Sequence, residues 1–144
     1  MFAKQSGKWR SDPVKAEIVR FADRIREAGG YRWVGIYAVG RNEISVIGWS
    51  GPDPPAHPRF PKERGLCGAA AASGSSVLVS DVASDPRYLT TLGNTRSEIV
   101  VPVKRATGQV VGLIDVESDR VHAFGKEDER LLEGFAFQAA SFWK

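Results

Sequence analysis

Cysteine, histidine and long apolar runs are all scarce in this sequence. Cys67 is the single cysteine among 144 residues, which excludes an intrachain disulfide and a cysteine-rich zinc cluster. The two histidines, His57 and His122, are far apart in the chain and predict no metal site. No apolar run approaches the roughly 20 residues of a membrane span, and residues 1–10 lack the apolar segment of a signal peptide. We therefore expect a cytoplasmic protein without a membrane segment, metal or other cofactor.

Charge of one sign is not concentrated anywhere along the chain. The 20 lysine and arginine residues stand against 17 aspartates and glutamates, which gives a net charge of +3. Nucleic acids are bound by a concentrated cationic surface, which this pattern does not predict. The Gly-rich phosphate loop and the Gly-x-Ser-x-Gly hydrolase turn are also missing. We expect no nucleic-acid partner and neither of those two classes of enzyme.

Two amphipathic helices are predicted near the ends of the chain. The first spans residues 12–28, with Asp12 as its N-cap and Gly29-Gly30 as its stop signal. Its apolar residues recur at helical spacing and are Val14, Ile18, Phe21, Ala22 and Ile25. The second spans residues 126–143, and its apolar face consists of Leu131, Phe135, Ala139 and Phe142, flanked by Leu132 and Ala136. Both faces need a partner, so we expect the helices to pack together on one side of a sheet.

Segments rich in β-branched and aromatic residues between these helices predict the strands of one sheet. They cover residues 31–39, 43–49, 77–79, 97–103 and 109–117, with a short helix at 65–73. Tight turns between neighbouring strands indicate antiparallel pairing, and the proline-rich segment 51–58 predicts a loop. We therefore predict an α+β fold in a single domain, residues 1–144, whose sheet and pocket occupy residues 31–120.

Three acidic residues interrupt otherwise apolar strands. Strand alternation places Glu98 on one face with Val100, and it places Asp115 and Glu117 on one face with Leu113. A carboxylate that is buried without a cation, donors or water costs free energy. The pattern leaves two interpretations open. In the first, the acids mark strand ends on a solvated face of the sheet, and in the second, they line a shared acidic pocket.

Two aromatic residues and the cysteine are further candidates for a site. Trp33 and Tyr37 lie on one face of the first strand, where they either fill the core or contact a ligand. Cys67 is near the start of the short helix. A helix N-terminus lowers the pKa of a nearby thiol, and the alternative is a small buried apolar residue.

Five segments of the chain form a recognisable set of motifs. They are Trp33-Val-Gly-Ile-Tyr37, Arg64-Gly-Leu-Cys-Gly-Ala-Ala70, Ser80-Asp-Val82, Arg96-Ser-Glu-Ile-Val-Val-Pro102 and Gly112-Leu-Ile-Asp-Val-Glu-Ser118. Together with the segment 124–132, they resemble the free methionine-(R)-sulfoxide reductase family, whose members have a GAF fold. The resemblance implies a six-stranded antiparallel sheet with a ligand pocket over one face.

The resemblance also implies which residues line that pocket. Members of the family bind a free amino-acid sulfoxide with acids on the two inner strands, and the matching positions are Glu98, Asp115 and Glu117, the last commonly Asp in the family. A tryptophan and a tyrosine of the first strand line the family's pocket and match Trp33 and Tyr37. The resemblance therefore favours the shared acidic pocket over the solvated face.

The sequence departs from the family at its cysteines. The resemblance places the catalytic cysteine at Thr91 and another at His57, and only the third is kept, as Cys67. In the family a thiolate attacks the sulfoxide sulfur, and a second thiol converts the resulting sulfenic acid to a disulfide. Threonine is a far weaker nucleophile, so we expect no turnover of the free sulfoxide at family-like rates. We also expect the short helix to hold Cys67 outside the ring of acids and aromatics.

Three functions remain open from the sequence. The leading hypothesis is a small-molecule-binding GAF domain, a sensor or regulatory module in signal transduction. Its ligand would be a free amino acid or similar amine, and it would need an output protein as partner. The second hypothesis is a methionine-(R)-sulfoxide reductase that uses Cys67 alone with an external thiol. The third is an interaction domain that forms a homodimer through its terminal helices.

Overall fold

The structure is a computed structural model that describes residues 13–90 and 92–143. The elements are helix α1 (Pro13–Gly29), strands β1 (Trp33–Val39), β2 (Glu43–Ser50) and β3 (Arg59–Pro61), helix α2 (Gly65–Ser73), strands β4 (Val77–Val79), β5 (Ser97–Lys104) and β6 (Val110–Ser118), and helix α3 (Lys126–Ala139). Short 3₁₀ turns cover Val82–Ser84 and Ala140–Phe142. The predicted N-cap, Asp12, lies outside the described residues. In the described ranges, no helix combines the length and the apolar character needed to cross a bilayer.

The six strands form one sheet in the order β3-β2-β1-β6-β5-β4. All neighbouring pairs are antiparallel, which confirms the predicted α+β architecture. Strand β3, which the sequence analysis missed, directly follows the proline-rich loop and pairs Pro61 with Glu43. Proline is tolerated in a strand at a sheet edge, and β3 is an edge strand. The central strands β1, β6 and β5 carry the candidate site residues.

Both terminal helices pack on one face of the sheet. They cover a buried layer from the inner strands that includes Ile36, Ile99 and Ile114. Phe21 of α1 meets Phe135 edge to face at a centroid distance of 5.8 Å, and it meets Phe142 at 5.3 Å. The predicted packing of the two helices together on one side is therefore confirmed. Helix α2 covers the opposite face, where a second buried cluster contains Trp33, Tyr37 and Cys67.

The buried faces of the terminal helices differ from the predicted apolar faces at individual residues. The prediction that Val14 faces the core is wrong, since its side chain is 54% exposed and the buried part of α1 begins at Ile18. On α3 the prediction for Leu131 is also wrong, because it is 36% exposed. The residues of α3 that face the core are Leu132, Ala136 and Ala139. The small alanines allow α3 to lie close to the sheet, and the helix ends at Ala139 rather than at residue 143.

The outer surface of α3 carries an exposed apolar side chain, Phe137, which is 87% exposed. A homodimer formed through the terminal helices stays a prediction.

Replacing Phe21 with leucine is expected to lower the free energy of unfolding by about 1–2 kcal/mol, because it removes two edge-to-face contacts, one with Phe135 of α3 and one with Phe142 of the following 3₁₀ turn. Phe137 provides the matched control, and Phe137→Leu should change the free energy of unfolding by less than about 0.5 kcal/mol. Urea denaturation measures both variants. Equal effects at the two positions would contradict the role of Phe21 in joining the helices.

Candidate functional site

The register of the three central strands brings the three acidic residues together. Glu98 of β5 lies directly opposite Glu117 of β6, and Glu117 lies opposite Trp33 of β1. Asp115 lies two residues before Glu117 on β6, opposite Gly35. Opposed and diagonal side chains on one face of an antiparallel pair are neighbours. Glu98, Asp115 and Glu117 therefore form one group, which we call the acidic cluster.

The acidic cluster is buried on the face of the sheet that α2 covers. Glu98 is 3% exposed, and Asp115 and Glu117 are each 1% exposed. The interpretation that places these acids on a solvated face is therefore wrong. The structure instead brings the three carboxyl groups together in one enclosed site.

Glu98 and Asp115 have carboxylate oxygens that receive no hydrogen bond from the described residues, namely Glu98 Oε1 and both Asp115 Oδ atoms. No basic side chain in the described ranges forms an ion pair with either residue. Burial is the largest cause that raises the pKa of both carboxyl groups well above the ordinary range, and repulsion within the cluster adds to it. Once one group holds a proton, it donates a hydrogen bond to a neighbouring carboxylate. The cluster therefore needs protons or a cation.

Glu117 is held by a residue that the sequence analysis did not single out. The Thr95 hydroxyl donates a buried hydrogen bond of 2.7 Å to Glu117 Oε1. Thr95 lies in the polar loop before β5, where neither strand alternation nor a family motif marks it. This contact orients Glu117, while Glu98 and Asp115 face the thiol of Cys67.

Cys67 lies against the acidic cluster. Its Sγ atom and one carboxylate oxygen from each of Glu98 and Asp115 all lie within 4.8 Å of one another. The expectation that the short helix holds this thiol outside the ring of acids and aromatics is therefore wrong, because the first turn of α2 faces the sheet. Burial raises the pKa of the thiol well above its usual range, and repulsion from Asp115, Glu98 and Glu117 raises it further. The helix N-terminus does not produce a reactive thiolate here.

Two aromatic residues enclose the cluster on the β1 side. Trp33 is fully buried, and its Nε1–H donates a hydrogen bond of 2.8 Å to the carbonyl oxygen of Asp53. Tyr37 lines the cavity beside Cys67 and Glu98. Burial raises the pKa of Tyr37 well above its usual range, so its hydroxyl group keeps its proton at neutral pH. Trp33 therefore forms part of the wall, whereas Tyr37 borders the cavity itself.

Gly35 lies between the two aromatic residues and allows both rings to occupy their positions. A Cβ atom at Gly35 would lie 2.5 Å from Trp33 Cη2 and 2.9 Å from Tyr37 Cε1. Carbon atoms in favourable contact are about 3.5–4.0 Å apart, so any side chain here would displace a ring. Because Gly35 is paired with Asp115, the rings converge beside the acidic cluster.

A small cavity adjoins the acidic cluster and reaches one of its members, Glu98. Its volume is about 10 Å³, which is room for about one water molecule. The residues that line it are Tyr37, His57, Phe60, Gly65, Leu66, Cys67, Leu89 and Glu98. His57 and Cys67, two of the positions that match family cysteines, therefore border the same cavity. Thr91, the third, lies outside the described residues.

Comparison with known proteins first identifies a family. The family profile described as GAF domain matches residues 16–143. GAF domain-containing protein A of Dictyostelium discoideum is 32% identical over 118 residues, which cover 81% of this chain and 73% of that protein. The chain spans 73%, 63% and 64% of the length of three curated relatives that it matches.

Comparison with solved structures gives the same fold and adds an enzyme family. The type II free methionine-R-sulfoxide reductase from Thermoplasma acidophilum has a TM-score of 0.83 and 33% identity, and the match covers 90% of this chain and 91% of that one. The free methionine-R-sulfoxide reductase from Neisseria meningitidis, solved in complex with its substrate, has a TM-score of 0.81 and 31% identity. That match covers 92% of this chain and 80% of the other. The similarity to these reductases therefore extends over most of the chain.

Proposed function

Because this chain belongs to the GAF domain family, we propose that its acidic cluster binds a small molecule with an ammonium group, and that the domain acts as a sensor or regulatory module. The observation that carries the proposal is the buried pair Glu98 and Asp115, which has no cation among the described residues. A protonated amine brings one positive charge and up to three N–H donors. Those are the two things that this pair of carboxyl groups lacks.

An ammonium group suits the acidic cluster better than a neutral or anionic group. Attraction between opposite charges is stronger in a water-excluded site than in bulk water, and both carboxyl groups are nearly inaccessible to solvent. An anion would add to the repulsion that already raises the pKa of Glu98. The ring of Tyr37 borders the same cavity and offers an apolar surface to the rest of the ligand.

A free amino acid is the ligand class that the similarities support. Two similar structures are named for the reduction of a free amino-acid sulfoxide. The cavity of about 10 Å³ is too small for such a molecule. Binding therefore requires residues at the rim, including His57 and Leu89, to move outward. We expect the ligand to open the pocket and an output protein to respond to that change.

A thermal-shift screen tests this function with free amino acids, the two epimers of methionine sulfoxide and simple amines. At about 100 times its Kd, a ligand should add about 2.7 kcal/mol of stability and raise the melting temperature by about 5–10 °C. Glu98→Gln should abolish the shift because it removes a negative charge from the binding site. Glu129→Gln on α3 is the matched control and should keep it.

The ammonium group has its own control. An N-acetyl amino acid keeps the side chain and the carboxylate but loses the positive charge, so it should give no shift. An equally large shift with the N-acetyl compound, or in Glu98→Gln, would show that the acidic cluster does not hold the ligand.

A second candidate function, reduction of free methionine-(R)-sulfoxide, is favoured by the position of Cys67. Its Sγ lies within 4.8 Å of carboxylate oxygens of Glu98 and Asp115, inside the candidate pocket. Glu98, whose pKa is raised by burial, would protonate the sulfoxide oxygen while the thiolate attacks sulfur. The oxygen then passes to Cys67 as a sulfenic acid, and methionine leaves. Two external thiols would restore Cys67 and form a disulfide and water.

The raised pKa of the Cys67 thiol opposes this second function, because the thiolate is the nucleophile. We therefore expect no thiol-dependent turnover at family-like rates from the unmodified protein or from Cys67→Ser. The double substitution His57→Cys with Thr91→Cys is expected to introduce activity. Turnover by the unmodified protein that disappears in Cys67→Ser would instead establish the single-cysteine reductase.

A further inference from the structure

The thiol of Cys67 and the two carboxyl groups beside it bring one sulfur and two oxygen donor atoms together, which the sequence spacing does not reveal. Cys67 comes from α2, Glu98 from β5 and Asp115 from β6, and one ligand atom from each lies within 4.8 Å of the other two. We propose that these three residues bind one Zn²⁺ ion, with a water molecule as the fourth ligand. This site goes beyond amine binding and does not depend on it.

The lack of hydrogen bonds to the carboxylate oxygens is a second observation that supports a bound cation. Both Oδ atoms of Asp115 and Oε1 of Glu98 are buried and receive no hydrogen bond from the described residues. Such oxygens are normally satisfied by donors or by a metal ion when they are buried. Here they lie next to a sulfur atom that also binds metals.

The donor set determines which metal is expected. One thiolate and two carboxylates combine a soft sulfur ligand with oxygen ligands, a combination that suits Zn²⁺. Mg²⁺ and Ca²⁺ bind oxygen ligands and gain nothing from a thiolate. Zn²⁺ binding displaces the protons that the thiol and the carboxyl groups hold in the metal-free cluster. The three anionic ligands and the divalent ion then carry one net negative charge, so the ion offsets most of the repulsion between the ligands.

The dimensions of the site fit a tetrahedral ion after a small contraction. Zn–S distances of about 2.3 Å and Zn–O distances of about 2.0 Å place neighbouring ligand atoms about 3.5 Å apart. Because the three observed ligand atoms lie within 4.8 Å of one another, each pair has to close by at most about 1.3 Å to reach this spacing. The adjoining cavity of about 10 Å³ has room for the water ligand and opens at a rim that includes His57.

Further contacts support the ligands from outside. Glu117 lies opposite Glu98 in the sheet, and a hydrogen bond from Thr95 fixes the orientation of its carboxylate. Residues that orient the ligands of a metal are a regular part of such sites. Since an amine and Zn²⁺ would use the same carboxylates, the two occupants should compete.

Metal titration of the reduced full chain tests this site without any amino acid. The protein is treated with a chelator, and Zn²⁺ is then added in competition with a chromophoric chelator. We expect one Zn²⁺ per chain. Asp115→Asn and Glu98→Gln should each lower the affinity for Zn²⁺ by more than about 100-fold, because even residues that only orient a metal ligand contribute about 10- to 100-fold. Asp119→Asn is the control, because Asp119 is exposed and directly follows β6. This variant should bind Zn²⁺ as tightly as the unmodified protein.

Co²⁺ provides a second readout that reports on the sulfur ligand directly. A thiolate-to-cobalt charge-transfer band and the strong visible bands of a tetrahedral complex are expected, and both should disappear in Cys67→Ser. Circular dichroism of each metal-free variant shows whether it is folded. The proposal is overturned by failure to bind Zn²⁺ in a folded chain, by a Co²⁺ complex without the charge-transfer band, or by unchanged affinity in folded Asp115→Asn.

Discussion

Replacing Asp115 with asparagine is expected to stabilise the ligand-free protein by about 1–3 kcal/mol, the range for a buried polar group without a partner. Asp115 is 1% exposed, and neither of its Oδ atoms receives a hydrogen bond from the described residues. Asparagine is nearly the same size, removes the charge, and brings an NH₂ group that donates to the carboxylate of Glu98. The same substitution should abolish the response to an amine.

The gain from Asp115→Asn should depend on pH. The folded-state pKa values of Asp115 and Glu98 are raised above the unfolded values, so the folded protein binds more protons than the unfolded chain. The stability of the unmodified protein therefore rises as pH falls from the raised pKa values toward the ordinary ones near 4. The advantage of Asp115→Asn should be large at about pH 7.5 and smaller at about pH 5.

Urea denaturation at both pH values measures this effect. Asp119→Asn is the matched control, since Asp119 has a side chain that is 43% exposed and pairs with Arg32 across 3.5 Å. Its effect should stay within about 0.5 kcal/mol. A loss of stability in Asp115→Asn at neutral pH would mean that the carboxylate already has a partner that stabilises the fold.

Gly35→Ala is expected to destabilise the protein by about 3 kcal/mol and to disrupt ligand binding at the same time. The new Cβ would lie 2.5 Å from Trp33 Cη2 and 2.7 Å from Cζ3 of the same ring. Trp33 has little freedom to move, because it is fully buried and its Nε1–H is bonded to the Asp53 carbonyl. The strain therefore remains in the wall of the pocket.

Gly134→Ala is the control for this substitution. Gly134 lies inside α3, and nothing lies within 4 Å of a Cβ placed there. Alanine should stabilise that helix by about 1 kcal/mol. If thermal unfolding shows that Gly35→Ala is as stable as the unmodified protein, then Trp33 and Tyr37 are not held in the positions described above.

Strand alternation correctly predicted the face that each acid occupies, but it could not predict that the acids meet. Whether Glu98 lies opposite Glu117 depends on the register of β5 against β6. The turn between the two strands helps to set that register: Gly108 has a φ of 92°, and its N–H donates a hydrogen bond to the Arg105 carbonyl. A register shift between Val103 and Lys104 also contributes. Turn geometry of this kind follows from tertiary contacts as much as from local sequence.

The position of Cys67 was not predictable for a different reason. Residues 66–72 of α2 are all apolar or glycine, so periodicity cannot indicate which face of the helix meets the sheet. The same difficulty explains the error on α3, where Leu131 and Leu132 are adjacent and only packing shows that Leu132 is the buried one. Family resemblance located the pocket residues on strands, whereas their relation to the thiol required the three-dimensional structure.

Isothermal titration calorimetry in two buffers of different ionisation enthalpy tests the cation-binding role of the acidic cluster most directly, with L-methionine-(R)-sulfoxide as the probe. Because burial and mutual repulsion raise the pKa values of Glu98 and Asp115 in the ligand-free protein, an entering ammonium group should displace protons from the cluster into the buffer. The measured enthalpy should then differ between the buffers, and Glu98→Gln should lose both the binding and this difference. Absence of binding, or binding with the same enthalpy in both buffers and in Glu98→Gln, would contradict the assignment of the acidic cluster as an amine site.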